Sequence, residues 1–326
     1  MRDLSTTFAT NVGPVTAVDG VSLVVRPGES LGIVGESGSG KSVLVRSIMN
    51  LLPRSAEVAG NVIFDDVPMA RRGKKEMRHF WGPEMAMVFQ NPMTSLNPVK
   101  KIGQQIIDPI RFHLGKSRSA ARRDAADLLD RVGIVDVQRC LDQYPHQLSG
   151  GMRQRVSIAI ALSCSPKLLI ADEPTTALDV TVQKQILDLL QRLQQESGMA
   201  MILISHDLAV VAGRANRLGV MYAGRLVEAG PASEVFADPR HRYTGALLAS
   251  APDIALDSHT RLATINGTPP NLLALEPGCR FAPRCAVTDP TCEKEEPMFH
   301  FDNQRLRGFA CHHPIEPVPS VNAGGQ

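Results

Sequence analysis

The stretch GESGSGKS, residues 35–42, lies between an apolar run, SLGIV, and a helix-like segment, VLVRSIMNLL. Its spacing of Gly, four residues and then Gly-Lys-Ser is the phosphate-loop pattern. Glycines at 35, 38 and 40 allow a tight turn, in which successive backbone N–H groups point at phosphate oxygens near a helix N-terminus. A flexible Gly/Ser linker is the alternative, which the apolar strand and amphipathic helix on either side disfavour. We therefore expect a strand, a phosphate-binding loop and a helix in succession.

Each residue of this phosphate loop has an expected part in binding ATP. Lys41 is expected to reach the β- and γ-phosphates, and the Ser42 hydroxyl is expected to bind Mg²⁺. The remaining loop residues, expected to line the phosphates, are Gly35, Glu36, Ser37, Gly38, Ser39 and Gly40.

An acidic pair ends a second apolar run, KLLIADEP, residues 167–174. Continuous apolar runs are typical of parallel strands buried on both faces, and ligands bind at the carboxyl ends of such strands. Because side chains alternate along a strand, the neighbouring acids Asp172 and Glu173 cannot perform the same task. We assign Asp172 to Mg²⁺ through water and Glu173 to polarising the attacking water. Taken alone the pair would more often be a solvated turn, but the phosphate loop favours the catalytic interpretation.

A third segment, LSGGMRQRV, residues 148–156, places a serine and two glycines before another helical stretch. A serine hydroxyl and exposed N–H groups at a helix N-terminus form a second phosphate-binding device. Two such devices in one chain are consistent with two chains that meet head to tail. With these three motifs the sequence resembles an ATP-binding-cassette ATPase. In that family the signature residues, here Ser149, Gly150 and Gly151, close over the nucleotide of the opposite subunit.

The resemblance assigns further residues, each in the expected order along the chain. Gln90, in MVFQNPMTSLNP, matches the glutamine that contacts Mg²⁺ and water. His206, in MILISHDL, matches the switch histidine that contacts the γ-phosphate, and Asp179, in TTALD, matches the loop that crosses the dimer interface. Phe8 occupies the place of the aromatic residue that stacks on adenine, with packing in the core as the alternative. The family's first strand usually begins earlier, so Met1 is a candidate late start.

The segments between the motifs predict an α/β fold. Residues 91 to about 165 have helical periodicity, as in SAARRDAADLLDRVGI, and carry the signature at their end. Strands are predicted at 168–172 and 201–205, joined by an amphipathic helix that stops at Gly198, and a hairpin is predicted at Ala223-Gly224. The predicted fold class is a P-loop nucleotide-binding core, residues 1–235, with a helical signature subdomain at about 91–165. Residues 236–326 form a small, irregular, proline-rich extension that contains cysteines.

The extension indicates the subfamily. HRYTGALLASAP and PGCRFAPRCAVTDPTCEKEEP resemble the C-terminal region of oligopeptide and dipeptide importer ATPases. The resemblance implies an ATPase that energises two integral-membrane permeases, pairs with a second related ATPase and depends on an extracytoplasmic solute-binding protein. It also implies a peripheral position at the cytoplasmic face of a bacterial inner membrane. A soluble cassette ATPase of translation or DNA maintenance is the alternative, but neither a second cassette nor a long coiled coil is visible.

Four of the six cysteines, Cys279, Cys285, Cys292 and Cys311, lie in the extension. A reducing compartment disfavours disulfides, and no pair has the two-residue spacing of a zinc ribbon. Resemblance to the peptide-importer tail favours a [4Fe-4S] cluster over zinc or free thiols. The neighbouring His312 and His313 leave a mixed zinc site open. The other two cysteines, Cys140 and Cys164, are expected to pack in the core.

Composition restricts the partners. Lys and Arg number 35 against 33 Asp and Glu, which gives a net charge of +2, so nucleic acid is not an expected partner. No apolar run approaches the roughly 20 residues that cross a bilayer, and the N-terminus lacks the apolar core of a signal peptide. Any connection to a membrane is therefore expected to come through a partner.

Overall fold

The computed structural model describes residues 1–69, 72–176, 178–250, 264–302 and 307–317. Its strands are β1 (Arg2–Thr10), β2 (Gly13–Val21), β3 (Ser30–Val34), β4 (Ala56–Asn61), β5 (Ile63–Phe64), β6 (Val67–Pro68), β7 (Met85–Val88), β8 (Leu168–Asp172), β9 (Ala200–Ser205), β10 (Arg217–Tyr222), β11 (Arg225–Pro231), β12 (His300–Asp302) and β13 (Arg307–Phe309).

The helices lie between groups of these strands along the chain. They are α1 (Lys41–Ile48), α2 (Lys74–Met77), α3 (Pro92–Ser95), α4 (Ile102–Leu114), α5 (Arg118–Arg131), α6 (Val137–Asp142), α7 (Gly150–Leu162), α8 (Val180–Ser197), α9 (Leu208–Val211), α10 (Ala232–Ala237), α11 (Arg242–Ala249) and α12 (Pro290–Lys294). Short 3₁₀ turns cover Pro145–Gln147 and Ala282–Arg284.

The central sheet has the strand order β12-β13-β11-β10-β3-β9-β8-β7. Strands β10, β3, β9, β8 and β7 pair in parallel, and the remaining pairs are antiparallel. Every residue of β3, β8, β9 and β10 is buried. Parallel strands that are covered on both faces are expected to have such continuous apolar runs. Since the parallel strands share a direction, their carboxyl ends lie at one edge, which carries the candidate site.

The two faces of this sheet pack against different cores. Along β8, Leu168 and Ile170 belong to one buried cluster, and Leu169 and Ala171 belong to the other. Successive side chains of a strand point to opposite faces, so each face of β8 has its own apolar partners. Helix α7 and the long helix α8 pack on the Leu169 side, and α1 packs on the Ile170 side.

A second, smaller sheet has the antiparallel order β2-β1-β4. It contributes Leu4 and Val18 to the core on the α1 side of the central sheet. The loop before α1 therefore lies between the central sheet and a second layer of strands.

Several local predictions agree with the structure. Helices α3 to α7 fall in the stretch 91–165, and α8 ends at Gly198, whose left-handed conformation (φ +66°) suits glycine. The hairpin of β10 and β11 turns at Ala223 and Gly224, both with positive φ. No helix among the described residues is long and apolar enough to cross a bilayer.

The extension has more regular structure than its proline content predicted. Strand β13 pairs with β11, so β12 and β13 continue the central sheet. The prolines do not prevent this, because the two strands contain none and Pro290 occupies the first turn of α12, where a missing N–H is tolerated. The chain beyond residue 235 is therefore built partly onto the core sheet.

The buried carboxylate of Glu228, in β11, fixes the start of α11. It accepts hydrogen bonds from the backbone N–H groups of Arg240 at 2.8 Å and His241 at 2.9 Å. Burial raises the pKa of Glu228, while the N–H donors favour its charged form. The carboxylate thereby holds the first part of the extension against the core sheet.

We predict that Ile202→Ala, in the middle of β9, lowers the free energy of unfolding by about 2–5 kcal/mol, because it leaves a cavity in a well-packed core. Ile202 is 2% exposed, whereas Ile63, the matched control, is 51% exposed. Ile63→Ala is expected to cost less than about 1 kcal/mol. Urea unfolding of both variants measures the difference, and equal losses would contradict this description of the core.

Candidate functional site

The phosphate loop spans the turn from β3 to α1, and glycine is required at its base. Gly35 has φ +154°, and a Cβ atom there would lie 2.1 Å from the carbonyl oxygen of Met221 in β10. Gly40, at the N-cap of α1, has φ +96°, and its Cβ would lie 2.3 Å from the carbonyl oxygen of Ala17. The loop is therefore pressed against backbone on both sides, just before the N-terminus of α1, whose first N–H groups have no acceptor within the helix and can bind an anion.

Lys41 lies almost completely buried inside this loop, with 4% of its surface exposed. Its ammonium donates to the carbonyl oxygens of Gly35 at 2.7 Å and Glu36 at 2.9 Å, and lies 3.3 Å from the Ser39 hydroxyl oxygen. Burial lowers the pKa of Lys41, and nearby carboxylates act against that shift. A buried cation at the N-terminus of a helix suits a phosphate anion.

Ser42 and Asp172 form a pair at the expected Mg²⁺ position. The Ser42 hydroxyl donates to Oδ1 of Asp172 at 2.8 Å. Asp172 is fully buried, and burial raises its pKa. Its Oδ2 has no hydrogen-bond partner among the described residues. An unpaired buried carboxylate oxygen beside a hydroxyl fits a hydrated Mg²⁺ ion, which takes oxygen ligands and keeps several waters.

Two side chains predicted from other motifs, those of Gln90 and His206, approach the carboxylate of Glu173. Its Oε2 accepts a hydrogen bond from Nε2 of Gln90 at 2.9 Å and lies 3.2 Å from Nδ1 of His206. The Glu173 side chain is 13% exposed, so this carboxylate lies near the surface without being fully solvated. Ser42 donates to Asp172 instead, so the two neighbouring acids have different hydrogen-bond partners.

The backbone at Glu173 is held in an uncommon conformation. Its φ is +45°, a value that costs a non-glycine residue on the order of 1–3 kcal/mol. The Glu173 N–H donates to the carbonyl oxygen of Ile204 in β9 at 3.1 Å, which stabilises the turn. Strained backbone at a strand end that carries a carboxylate is typical of a functional position.

Sequence reasoning missed Thr176. Its hydroxyl donates to Oε2 of Glu173 at 3.0 Å, so it is a third neighbour of the oxygen that Gln90 and His206 approach. The signal was the pair of threonines in EPTT, three residues after the acid, at the distance of one turn. Hydroxyls in turns commonly bond to nearby backbone, and the motif alone did not distinguish that role from a contact with Glu173.

The signature residues lie apart from this group. Ser149 caps α7 and accepts from the Met152 N–H at 3.3 Å. A Cβ atom on Gly151 would lie 3.0 Å from the side chain of Val182, at the start of α8. Asp179 caps α8 in the same way, accepting from the Val182 N–H at 2.9 Å. The structure therefore brings the signature to Asp179, and no hydrogen bond among the described residues joins it to the phosphate loop.

Phe8 lies in β1, where it pairs with Val15 and Ala56 and is half-buried. Both expected roles, stacking on adenine and packing in the core, remain predictions at this position.

The four cysteines of the extension come together around one small cavity. Cys279, Cys285, Cys292 and Cys311 all line it. Burial raises the pKa of the Cys279 thiol to about 11, and it also raises the pKa values of Cys292 and Cys311. Thiols with raised pKa values stay protonated unless a cation is bound, since metal ligation requires thiolates.

The spacing of these sulfurs bears on the kind of metal. Thiolates on one zinc ion lie about 3.8 Å apart, given the Zn–S distance of about 2.3 Å and tetrahedral geometry. Among the described residues, no three of the four cysteine sulfurs lie within 4.8 Å of one another. The neighbouring histidines have other contacts: His312 lies 2.9 Å from the Glu295 carbonyl oxygen, and His313 lies 2.9 Å from Asp289. The arrangement is wider than a single zinc ion requires.

A tighter group of ligand atoms occurs beside this cavity, at Asp289, Cys292 and His313. Asp289 caps α12 by accepting from the Cys292 N–H at 2.9 Å, and this bond contributes most to lowering the pKa of Asp289 to about 2. Helix capping and the contact with His313 account for the grouping. Cys140 and Cys164 are buried elsewhere in the core, as expected.

Comparison with known proteins agrees with these motifs. The family described as ABC transporter matches residues 18–176, and the oligopeptide/dipeptide transporter C-terminal region matches residues 227–292. A putative peptide import ATP-binding protein of Brucella melitensis is 52% identical over 334 residues, covering 99% of this chain and 93% of that protein. The dipeptide transport ATP-binding protein DppD of Escherichia coli is 49% identical, covering 96% of this chain and 95% of that protein.

Solved structures share the core fold. The dimeric structure of MJ0796, a bacterial ABC transporter cassette, superposes with a TM-score of 0.63 at 28% identity, over 71% of this chain and 97% of that one.

We predict that Gly35→Ala weakens ATP binding at least tenfold, because the added Cβ collides with backbone of β10 and forces the phosphate loop to move. Gly198→Ala is the matched control, since Gly198 also has positive φ but has no atom within 4 Å of a Cβ. The control is expected to lose about 1 kcal/mol of stability and no ATP affinity. Titration with a fluorescent ATP analogue measures both, and equal affinities for wild type and Gly35→Ala would contradict the prediction.

Proposed function

The chain belongs to the ABC transporter family as the ATP-binding, ATP-hydrolysing subunit of a peptide import system, and we propose that Gln90, Glu173 and His206 carry out the hydrolysis. The approach of Gln90 and His206 to one oxygen of Glu173 is the observation that supports this assignment most directly. Three motifs far apart in the sequence supply one group, at the edge of the sheet where Lys41 and Ser42 also lie.

In the proposed mechanism, Glu173 orients and polarises the water that attacks the γ-phosphate. Gln90 contacts that water, and His206 contacts the γ-phosphate. Lys41 exchanges its bonds to the loop carbonyls for bonds to the β- and γ-phosphates, and the loop N–H groups bind the remaining oxygens.

Ser42, Gln90 and Asp172 are the proposed residues at the Mg²⁺ position, with Asp172 acting through water. Mg²⁺ bound there would neutralise charge that develops on the phosphate oxygens. The unpaired Oδ2 of Asp172 supports this assignment.

Hydrolysis is proposed to require a second chain. Ser149, Gly150 and Gly151 lie with Asp179 rather than with the phosphate loop of their own chain, so a partner cassette has to supply its signature to this nucleotide. The cassette MJ0796 was solved as a dimer, which supports the arrangement. Closure of two such chains on ATP, and reopening after hydrolysis, would move the attached membrane subunits.

The proposed partners follow from the importer relationship. They are two integral-membrane permeases, a second related ABC ATPase, and an extracytoplasmic solute-binding protein that acts through the permeases. The chain would then act as a peripheral protein at the cytoplasmic face of a bacterial inner membrane, without nucleic acid. The match of residues 227–292 to the oligopeptide/dipeptide region supports import over a soluble ATPase of translation or DNA maintenance.

We further propose that Cys279, Cys285, Cys292 and Cys311 hold a [4Fe-4S] cluster. The four cysteines line one cavity, and the spacing of their sulfurs supports a ligand larger than one zinc ion. A bound cluster would cross-link the parts of the extension that carry these cysteines.

The assignment of Glu173 predicts that Glu173→Gln keeps ATP affinity within about twofold and lowers hydrolysis at least about a hundredfold, because only the group that activates water is removed. Lys41→Ala is the contrasting variant, expected to weaken ATP binding itself. Binding and turnover measured on the assembled complex separate the two effects. Wild-type turnover in Glu173→Gln would overturn the assignment.

From the proposed cluster we predict that the Cys292→Ser variant loses most of the iron and labile sulfide of the wild-type protein, because one of four ligands is removed. Cys164→Ser, which changes a buried cysteine outside the cavity, is the control and should retain wild-type content. Iron, sulfide and zinc per chain are measured after anaerobic purification. Zinc in place of iron, or equal iron in wild type and Cys292→Ser, would contradict the cluster.

A further inference from the structure

The phosphate loop is bound on one side by residues of the extension. The carboxylate of Glu36 forms two bonds with the guanidinium of Arg284, from Nη1 to Oε2 at 2.6 Å and from Nη2 to Oε1 at 2.9 Å. This is the parallel, two-bond geometry in which arginine binds a carboxylate most strongly. The Arg284 side chain is 4% exposed and that of Glu36 is 24% exposed, so solvent screens the pair only weakly.

A second residue of the extension binds the backbone of the same position. The Glu36 N–H donates to the hydroxyl oxygen of Tyr243, in α11, at 2.8 Å. The Glu36 carbonyl oxygen accepts from Lys41 at 2.9 Å. Every polar group of Glu36 is therefore engaged, two by the extension and one by the buried lysine of the loop. The conformation of the loop at this residue depends on all three contacts.

Arg284 is itself held firmly. It donates to the Tyr222 hydroxyl at 3.2 Å and to the Asn266 carbonyl oxygen at 2.9 Å. The rings of Tyr222, Tyr243 and Phe281 pack against one another, with centroids 4.6–5.4 Å apart. The hydrogen bonds to Glu36 raise the pKa of Arg284 above its usual value, so its charge is secure at any working pH.

We propose that Arg284 and Tyr243 are positioning residues for ATP binding, through which the extension holds Glu36 and the phosphate loop in the conformation that receives phosphate. The proposal rests on the proposed binding of ATP by this loop. Preorganised N–H donors bind an anion more tightly than a loop that must first be ordered, because the entropy cost of ordering is already met. Without these contacts the loop loses order, and ATP affinity falls.

The Glu36–Arg284 pair also lies next to the cysteine cavity. Arg284 ends the 3₁₀ turn Ala282–Arg284, and the next residue, Cys285, lines that cavity. Arg284 therefore lies between the cysteine cavity and the phosphate loop.

The test is equilibrium ATP binding by the full-length chain carrying Arg284→Gln. We expect the dissociation constant to rise about fivefold or more, the lower end of typical coupling between sites, with turnover at saturating ATP nearly unchanged. Arg242→Gln is the matched control, since Arg242 donates to the carbonyl oxygens of His313 and Pro314 within the extension. The control should bind ATP as wild type does.

Two further variants distinguish positioning from a general loss of folding. Tyr243→Phe removes one hydroxyl and leaves the ring packing, and it should weaken ATP binding in the same direction. In a background of Glu36→Gln, adding Arg284→Gln should cause no further loss, because the pair is already broken.

Wild-type affinity in both Arg284→Gln and Tyr243→Phe would overturn the proposal, and so would fully additive losses in the double variant. Failure of the wild-type chain itself to bind ATP would instead overturn the proposed function, so the two failures are distinguishable.

Discussion

The buried ammonium of Lys41 is the constraint on which the rest of the site depends. A lysine that is 4% exposed needs compensation for its lost hydration, and two loop carbonyls supply it only because the chain turns tightly around the side chain. That turn presses Gly35 against Met221, which leaves no room for a side chain. The same turn leads into the N-terminus of α1, whose first N–H groups have no acceptor within the helix. The buried charge of Lys41 and the helix N-terminus thus lie together through one packing arrangement.

Asp172 and Glu173 are neighbours in the sequence but have different hydrogen-bond partners. Asp172 is buried and bonded to Ser42, whereas Glu173 turns outward with positive φ and meets Gln90 and His206. Strand β8 ends at Asp172, and the positive φ of Glu173 redirects the next side chain, so the adjacent acids face different partners. The signature, by contrast, lies with Asp179, so a single chain holds only part of the proposed site. The proposed dependence of hydrolysis on a second chain rests on this separation.

Much of this arrangement could be predicted from the sequence, because it depends on local patterns. The apolar runs that end at Val34 and Asp172 specify buried parallel strands, and the loop spacing specifies the turn between β3 and α1. Contacts between distant segments could not be predicted in this way. Glu36 and Arg284 are 248 positions apart, and neither belongs to a periodic pattern that would indicate a pair. The pairing of β13 with β11 was missed for the same reason, since three-residue strands carry almost no periodicity.

The central claim is that this chain converts ATP hydrolysis into peptide import, and ATP turnover by the complete complex tests it most directly. The complex would be rebuilt in liposomes with the proposed permeases, second ATPase and solute-binding protein, and ATP turnover would be measured with and without peptide. The account predicts that short peptides bound to the solute-binding protein raise turnover and enter the liposomes, while an unrelated solute such as nickel does neither. Turnover that no peptide changes, in a complex competent to hydrolyse ATP, would contradict it.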